Sequence, residues 1–205
     1  MILNKITKGE RKADVTLVFD NGRTEQVLND IAIKKMLKEG MLLTEQQLEQ
    51  ILDQNQLLNI MKKGYEYLSY GDITERRMRD KLRRHGALEE HIDQCIEHFK
   101  DKGYLNDERY AQRYSSLAAE NKMWGKRRII DELFRRGIDL QLARQVVDEL
   151  EVDWQENAVR LIDEKYSLVN VGSPRQKQKL FNALVRLGYT YDEITTAINQ
   201  YFYEM

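Results

Sequence analysis

The stretch "LRRHG" at Leu82–Gly86 returns as "LFRRG" at Leu133–Gly137 and again as "LVRLG" at Leu184–Gly188, each step being 51 residues. A leucine, an arginine and a glycine thus keep one register three times in a chain without low-complexity segments. Self-similarity at a fixed period of this size marks a repeat architecture, each unit being one supersecondary element. Aligned on the three glycines, Met78, Ile129 and Leu180 coincide, and Leu82, Leu133 and Leu184 follow four residues later. Beyond each glycine the aligned sets are Ile92, Ala143 and Ile194; Cys95, Val146 and Ala197; Ile96, Val147 and Ile198; and Phe99, Leu150 and Tyr201. Steps of three and four residues put these positions on one helix face, and glycine suits the left-handed residue that ends a helix. Each repeat therefore carries two amphipathic helices, with a third before them near residues 57–70, 107–121 and 154–166.

The first part of the chain follows another period. "ADVTLVFDNGRTEQVL" alternates Val15, Leu17 and Phe19 with polar residues and then reaches Asn21-Gly22, a pair suited to a type I′ hairpin turn. "ILNKIT" is a candidate third strand. Asn29 or Asp30 is expected to cap a short helix through Leu37 that Gly40 ends, and Thr44 with Gln47 forms a capping-box pattern before a long helical stretch. The fold expected is mainly α: three tandem three-helix, helix-turn-helix-like repeats in an extended, curved array, with a small N-terminal α+β head containing a β-hairpin. The boundaries expected are 1–56 for the head and 57–105, 106–152 and 153–205 for the repeats.

Composition narrows the function classes. Hydrophobic residues make up 41% of 205, enough for several small cores, and a single cysteine excludes an internal disulfide and suits a reducing cytosol. No apolar run approaches a membrane span and the opening "MILNKITKGERKADV" lacks a signal-peptide core, so a cytoplasmic, membrane-free protein is expected. There is no glycine-rich phosphate loop and Cys95 has no evident base partner, so no enzyme and no cofactor are expected. His91, Cys95 and His98 share a helix at metal-like spacing, but Cys95 stands in the core register and a fourth ligand is missing, so no metal site is expected.

The charges carry the functional signal. Residues 74–86 hold six basic against two acidic residues, 122–137 again six against two, and 175–188 four basic residues and no acid. The helices that follow invert this, with five acids against one base in both 87–101 and 138–153. Arg77, Arg128 and Lys179 share a register, as do Arg84, Arg135 and Arg186 two turns later. Such a stripe either follows a polyanion or an acidic groove, or is a solvated face paired with the neighbouring acidic helix. Tyrosines cluster around the first two repeats as joint seals or base-stacking rings, and Trp124, in polar "ENKMWGKRR", is the ring expected to be open to a partner.

"YLSYGDITERRMRDKLRRHG" from Tyr67, "GYLNDERYAQRY" from Gly103 and "GKRRIIDELFRRGID" from Gly125 resemble the RecX family of regulatory proteins over essentially the whole chain. The resemblance implies a protein that binds the recombinase RecA in its filament groove on single-stranded DNA. By blocking filament growth or promoting disassembly, it would lower RecA's ATPase, strand-exchange and co-protease activities. Implied contexts are DNA repair, homologous recombination and the SOS response. Candidate contacts to partner or nucleic acid are Arg76, Arg77, Arg83, Arg84, Trp124, Lys126, Arg127, Arg128, Arg135, Arg136, Lys179 and Arg186. The alternative is a protein that binds single- or double-stranded DNA directly through its basic second helices. Without a long heptad seam, a monomer is the default.

Overall fold

The computed structural model describes residues 1–203. They form two compact units, one of Met1–Gly71 with Met78–Tyr104, the other of Asp72–Arg77 with the residues from Leu105 on.

In the first unit, strands β1 (Leu3–Lys8), β2 (Asp14–Phe19) and β3 (Thr24–Leu28) make an antiparallel sheet in that order, so "ILNKIT" does supply a strand. The hairpin turn is not type I′. Only Gly22 has a positive φ, 81°, while the Asn21 side chain accepts the Arg23 N–H at 3.0 Å. Phe19 N–H donates to Arg23 C=O and Gly22 N–H to Phe19 C=O, the pattern of a three-residue loop with one left-handed glycine. Helix α1 (Asn29–Lys34) starts directly out of β3, with Leu28 at its cap position and no side-chain cap from Asn29 or Asp30. It ends before Gly40. Met36 takes the left-handed turn at φ 50°, so that Leu37 N–H closes on Ala32 C=O and the Leu37 side chain enters the core.

Helix α2 (Glu45–Ser69) begins with the expected capping box, Thr44 Oγ1 accepting from Gln47 N–H and Gln47 Oε1 from Thr44 N–H. It runs unbroken for 25 residues across the expected boundary at 56–57. Its first half puts Leu48 and Ile51 into the core of the sheet, with Leu3, Leu17, Phe19 and Val27. Buried Asn55 accepts the Leu28 N–H at 2.8 Å and so ties α2 to the end of β3. Its second half packs on α4 (Glu89–Asp101) through Gly64, where a Cβ would stand 2.4 Å from the Phe99 ring. Helix α3 (Glu75–Arg84) gives the first unit its residues from Met78 on.

The second unit holds α5 (Asp107–Lys122), α6 (Lys126–Arg135) and α7 (Leu140–Asp148), then α8 (Trp154–Tyr166), α9 (Pro174–Arg186) and α10 (Tyr191–Tyr203). Asn106, Asp139 and Asp153 cap α5, α7 and α8 by accepting backbone N–H groups of the first turn. Every aligned apolar set is buried except the last: α7 stops at Asp148, before Leu150, and Tyr201 is half-buried. No helix among the described residues is long and apolar enough to cross a membrane.

The repeated leucine and glycine are explained by one helix ending made three times. Gly86, Gly137 and Gly188 have φ of 86°, 94° and 95°. The residue after each donates its N–H back to the leucine carbonyl, Ala87 to Leu82, Ile138 to Leu133 and Tyr189 to Leu184. The leucine that accepts this bond is also a core residue with no exposed surface. Two of these endings do more. A Cβ on Gly137 would meet the Arg76 side chain at 2.6 Å, and one on Gly188 would meet the Arg128 backbone N at 2.3 Å. Thr74 Oγ1 donates to Arg136 C=O at 2.6 Å, and at the aligned position Gly125 N–H donates to Leu187 C=O at 2.8 Å. The end of one middle helix thus docks on the start of the middle helix before it. Among the described residues, a Cβ on Gly86 would have no such neighbour within 4 Å.

Candidate partner-binding surface

Unlike the leucine and glycine, the arginine of the repeated motif is not required by this packing. Arg84, Arg135 and Arg186 are all exposed. Arg84 Nε reaches only the Asp80 carbonyl of its own helix, and Arg135 stands 3.8 Å from Glu132. Arg186 forms no ion pair or side-chain hydrogen bond among the described residues. At such exposed sites a charge contributes only about 0–1 kcal/mol to stability, so the fold does not explain its return.

The other predicted contacts divide by what they touch. Arg83 grips Glu89 through Nε at 2.6 Å and Asp80 at 3.1 Å, and its guanidinium holds the Glu89 carboxyl below the usual carboxylate range. Lys126 pairs with Asp148 at 2.8 Å and lies 5.9 Å from the Trp154 ring. Arg136 lies over the Tyr114 ring at 4.3 Å, donates to Tyr110 Oη at 3.0 Å and pairs with Glu132 at 3.3 Å. These three are engaged within the fold. So is Arg128, which is half-buried 5.1 Å from the Trp124 ring, with a buried Nε that has no hydrogen-bond partner among the described residues.

Trp124 is correspondingly not an open ring. It is half-buried in the second-repeat core, with Lys122 Nζ 4.3 Å away as well as Arg128. The polar letters around it conceal this, because the covering groups are themselves cations attracted to the ring face. Tyr110 and Tyr114, stacked at 6.1 Å, serve the same core as seats for Arg136. Lys122 was not among the predicted contacts, and its signal is its place between two aromatic positions.

Arg76, Arg77, Arg127, Lys179 and Arg186 remain, all but one wholly outward. The stem of Arg76 lies against Gly137, and the others are exposed without an ion pair among the described residues. On α9 the cations Arg175 and Lys177 are likewise exposed and unpaired, so that helix presents four cations and no acid. Lys179 and Arg186 sit two turns apart and line one groove with Tyr166 and Val169.

The potential metal constellation is taken apart by its neighbours. His91 shares a hydrogen bond with Asp53 at 2.7 Å and His98 one with Tyr65 at 2.8 Å. Cys95 is buried, and burial pushes its thiol up to about 12. Among the described residues no three metal-ligating side chains gather.

Comparison with known proteins agrees with this architecture. Residues 106–147 match the family model for the second three-helix domain of RecX. The chain is 27% identical to the regulatory protein RecX of Clostridioides difficile (strain 630), over 97% of this chain and 95% of the relative. It shares the fold of a crystal structure of regulatory protein RecX with a TM-score of 0.73 at 21% identity, covering 97% of this chain and 98% of the other. The crystal structure of RecX from Lactobacillus salivarius matches 71% of this chain and 96% of its own, at 26% identity and a TM-score of 0.63. With a three-helix unit, full-length relatives and a fold all matching in the same terms, the chain is similar to the RecX family of regulatory proteins over nearly its whole length.

Proposed function

We propose that this chain is a binding protein, not an enzyme, that engages RecA filaments on single-stranded DNA in the cytoplasm and lowers their activity. The observation that carries the reading is the set of outward cations the fold leaves unpaired, Arg77 and Arg127 and above all Lys179 and Arg186 on an acid-free α9. A partner with a regular array of acidic or phosphate groups gives such cations a role that folding does not. Several weak contacts on linked repeats combine through effective concentration, so none needs to be strong. The contacts proposed are Arg76, Arg77, Arg84, Arg127, Arg135, Lys179 and Arg186; Arg83, Lys126, Arg128 and Arg136 are engaged within the repeats. Inhibition then comes from blocked growth or promoted disassembly by a monomer, without chemistry.

A second reading, direct binding of single- or double-stranded DNA, draws on the same four cations of α9. The two are separated by the ATPase of RecA on single-stranded DNA with the chain added well below the amount that coats the DNA. Inhibition at that level supports filament binding. Inhibition that appears only when the DNA is covered, and weakens in parallel with DNA binding as salt rises, supports the second reading.

A further inference from the structure

Lys179 and Arg186 do not stand on an open helix face but on the wall of a groove. It lies between the end of α8 and one side of α9 and encloses about 980 Å³. Its apolar lining comes from Tyr166, Val169, Ala183 and Val185, with Lys179 and Arg186 among them. Val185 is 46% exposed and Leu168, on the loop beyond α8, is 98% exposed. The groove stays open because α8 packs chiefly on α10, leaving this side of α9 uncovered.

The second repeat treats the counterpart of Lys179 differently. Arg128, aligned with Lys179, has Trp124 beneath it. Fifty-one residues on, the Trp124 position holds Arg175. The third repeat therefore keeps Lys179 without the ring that covers its counterpart, keeps Arg186 at the position of the exposed Arg135, and places no acid in the groove lining. An apolar floor with two cations seven residues apart on one helix, about 10 Å along its axis, is complementary to an amphipathic helix. Such a helix would bring aliphatic side chains to the floor and carboxylates two turns apart to the rim. Nucleic acid fits less well, because base stacking needs an exposed ring and Tyr166 is half-buried.

We propose that the groove between α8 and α9 of the third repeat is a docking site for an acidic amphipathic helix of a protein partner. This rests on the reading of Lys179 and Arg186 as partner contacts and specifies the chemistry they meet.

The test uses the full chain and a fluorescein-labelled peptide of about 15 residues, long enough to be helix-competent. Leucines at helical spacing form one face, with two glutamates seven residues apart at its edge. Fluorescence anisotropy is expected to show saturable binding that weakens about tenfold in K179E/R186E and in the groove-filling A183F, and less than about twofold in K177E, which lies on the other side of α9. Far-ultraviolet circular dichroism checks that each variant is folded. If A183F does not fold, V185E, at an exposed position, replaces it and is expected to weaken binding likewise. Three results overturn the proposal: no saturable binding, equal loss in K177E, or displacement of the peptide by a single-stranded oligonucleotide whose own binding falls in K179E/R186E but not in A183F. Because RecA is absent from this assay, its outcome is independent of the ATPase result. Filament inhibition that survives loss of peptide binding removes the groove and leaves the filament reading standing. Peptide binding without any filament inhibition does the reverse.

Discussion

Replacing Gly188 by alanine should damage the protein far more than the same change at Gly86, although both glycines end the same motif. Both sit near φ of 90°, where alanine costs about 1–2 kcal/mol. At Gly86 nothing lies within 4 Å, so backbone strain is the whole cost. At Gly188 the new Cβ would stand 2.3 Å from Arg128 N and 2.8 Å from Gly125 O, both backbone atoms that no rotamer change can move. The overlap is relieved only by drawing the end of α9 away from the start of α6. That breaks Gly125 N–H to Leu187 C=O and Arg127 N–H to Gly188 C=O, and loosens the buried bond from Tyr189 Oη to Met123 C=O at 2.8 Å. At about 1 kcal/mol for each bond, G188A should lose about 4 kcal/mol where G86A loses about 1. G137A should fall between them, since the Arg76 atoms it meets belong to an exposed side chain that can partly yield. Urea denaturation followed by circular dichroism measures all three, and at 2–4 °C per kcal/mol the melting temperatures should separate visibly as well. Equal losses at positions 86 and 188 would refute the inter-repeat joint as the reason glycine is kept.

Other outcomes follow from single contacts. Tyr189→Phe keeps the buried ring but leaves Met123 C=O without its donor, and should cost about 1–2 kcal/mol in urea denaturation. Cys95 should resist thiol reagents in the native state at pH 8 and react fully in denaturant. Its thiol titrates near 9 when unfolded and near 12 when folded, so over that range the unfolded chain has released a proton the native chain retains. Stability should therefore fall as pH rises from 9 to 12, and Cys95→Ala should flatten that part of the profile. Deleting residues 1–43 strips the sheet from Leu48 and Ile51, so hydrogen exchange should rise in α2 as far as Asn55 while α5 to α10 keep their protection.

The helices were legible because each repeat states the same requirement. A buried leucine and a left-handed glycine at one spacing admit few other readings, and the third-helix spans near 107–121 and 154–166 agree with α5 and α8 to within a residue. The joints were not legible, since Gly86 and Gly188 are the same letter in the same context and only the neighbour differs. The start of α1 was missed because Leu28 serves as strand end, core residue and helix cap at once, leaving nothing for Asn29 or Asp30 to cap. For the surface, register located the arginines but not their partners. Arg128 and Arg135 look alike in sequence, yet the first lies by Trp124 and the second faces solvent. Neither Asp148, which engages Lys126, nor Tyr110, which engages Arg136, is marked by any local spacing.

The start of α9 has a consequence for how such a chain can lengthen. At the two joints the donating position, Thr74 or Gly125, immediately precedes its middle helix. The aligned residue in the third repeat is Gln176, but α9 begins earlier, at Pro174 with Ser173 as its cap, so Gln176 is already inside the helix and its side chain is bound to Asn170 N–H. An extra turn therefore lies across the place where a fourth glycine ending would seat. Gene duplication could add modules by copying an interior one, whose two ends are both joint-competent. A module placed after α10 could dock on α9 in the same way only with the loss of that turn.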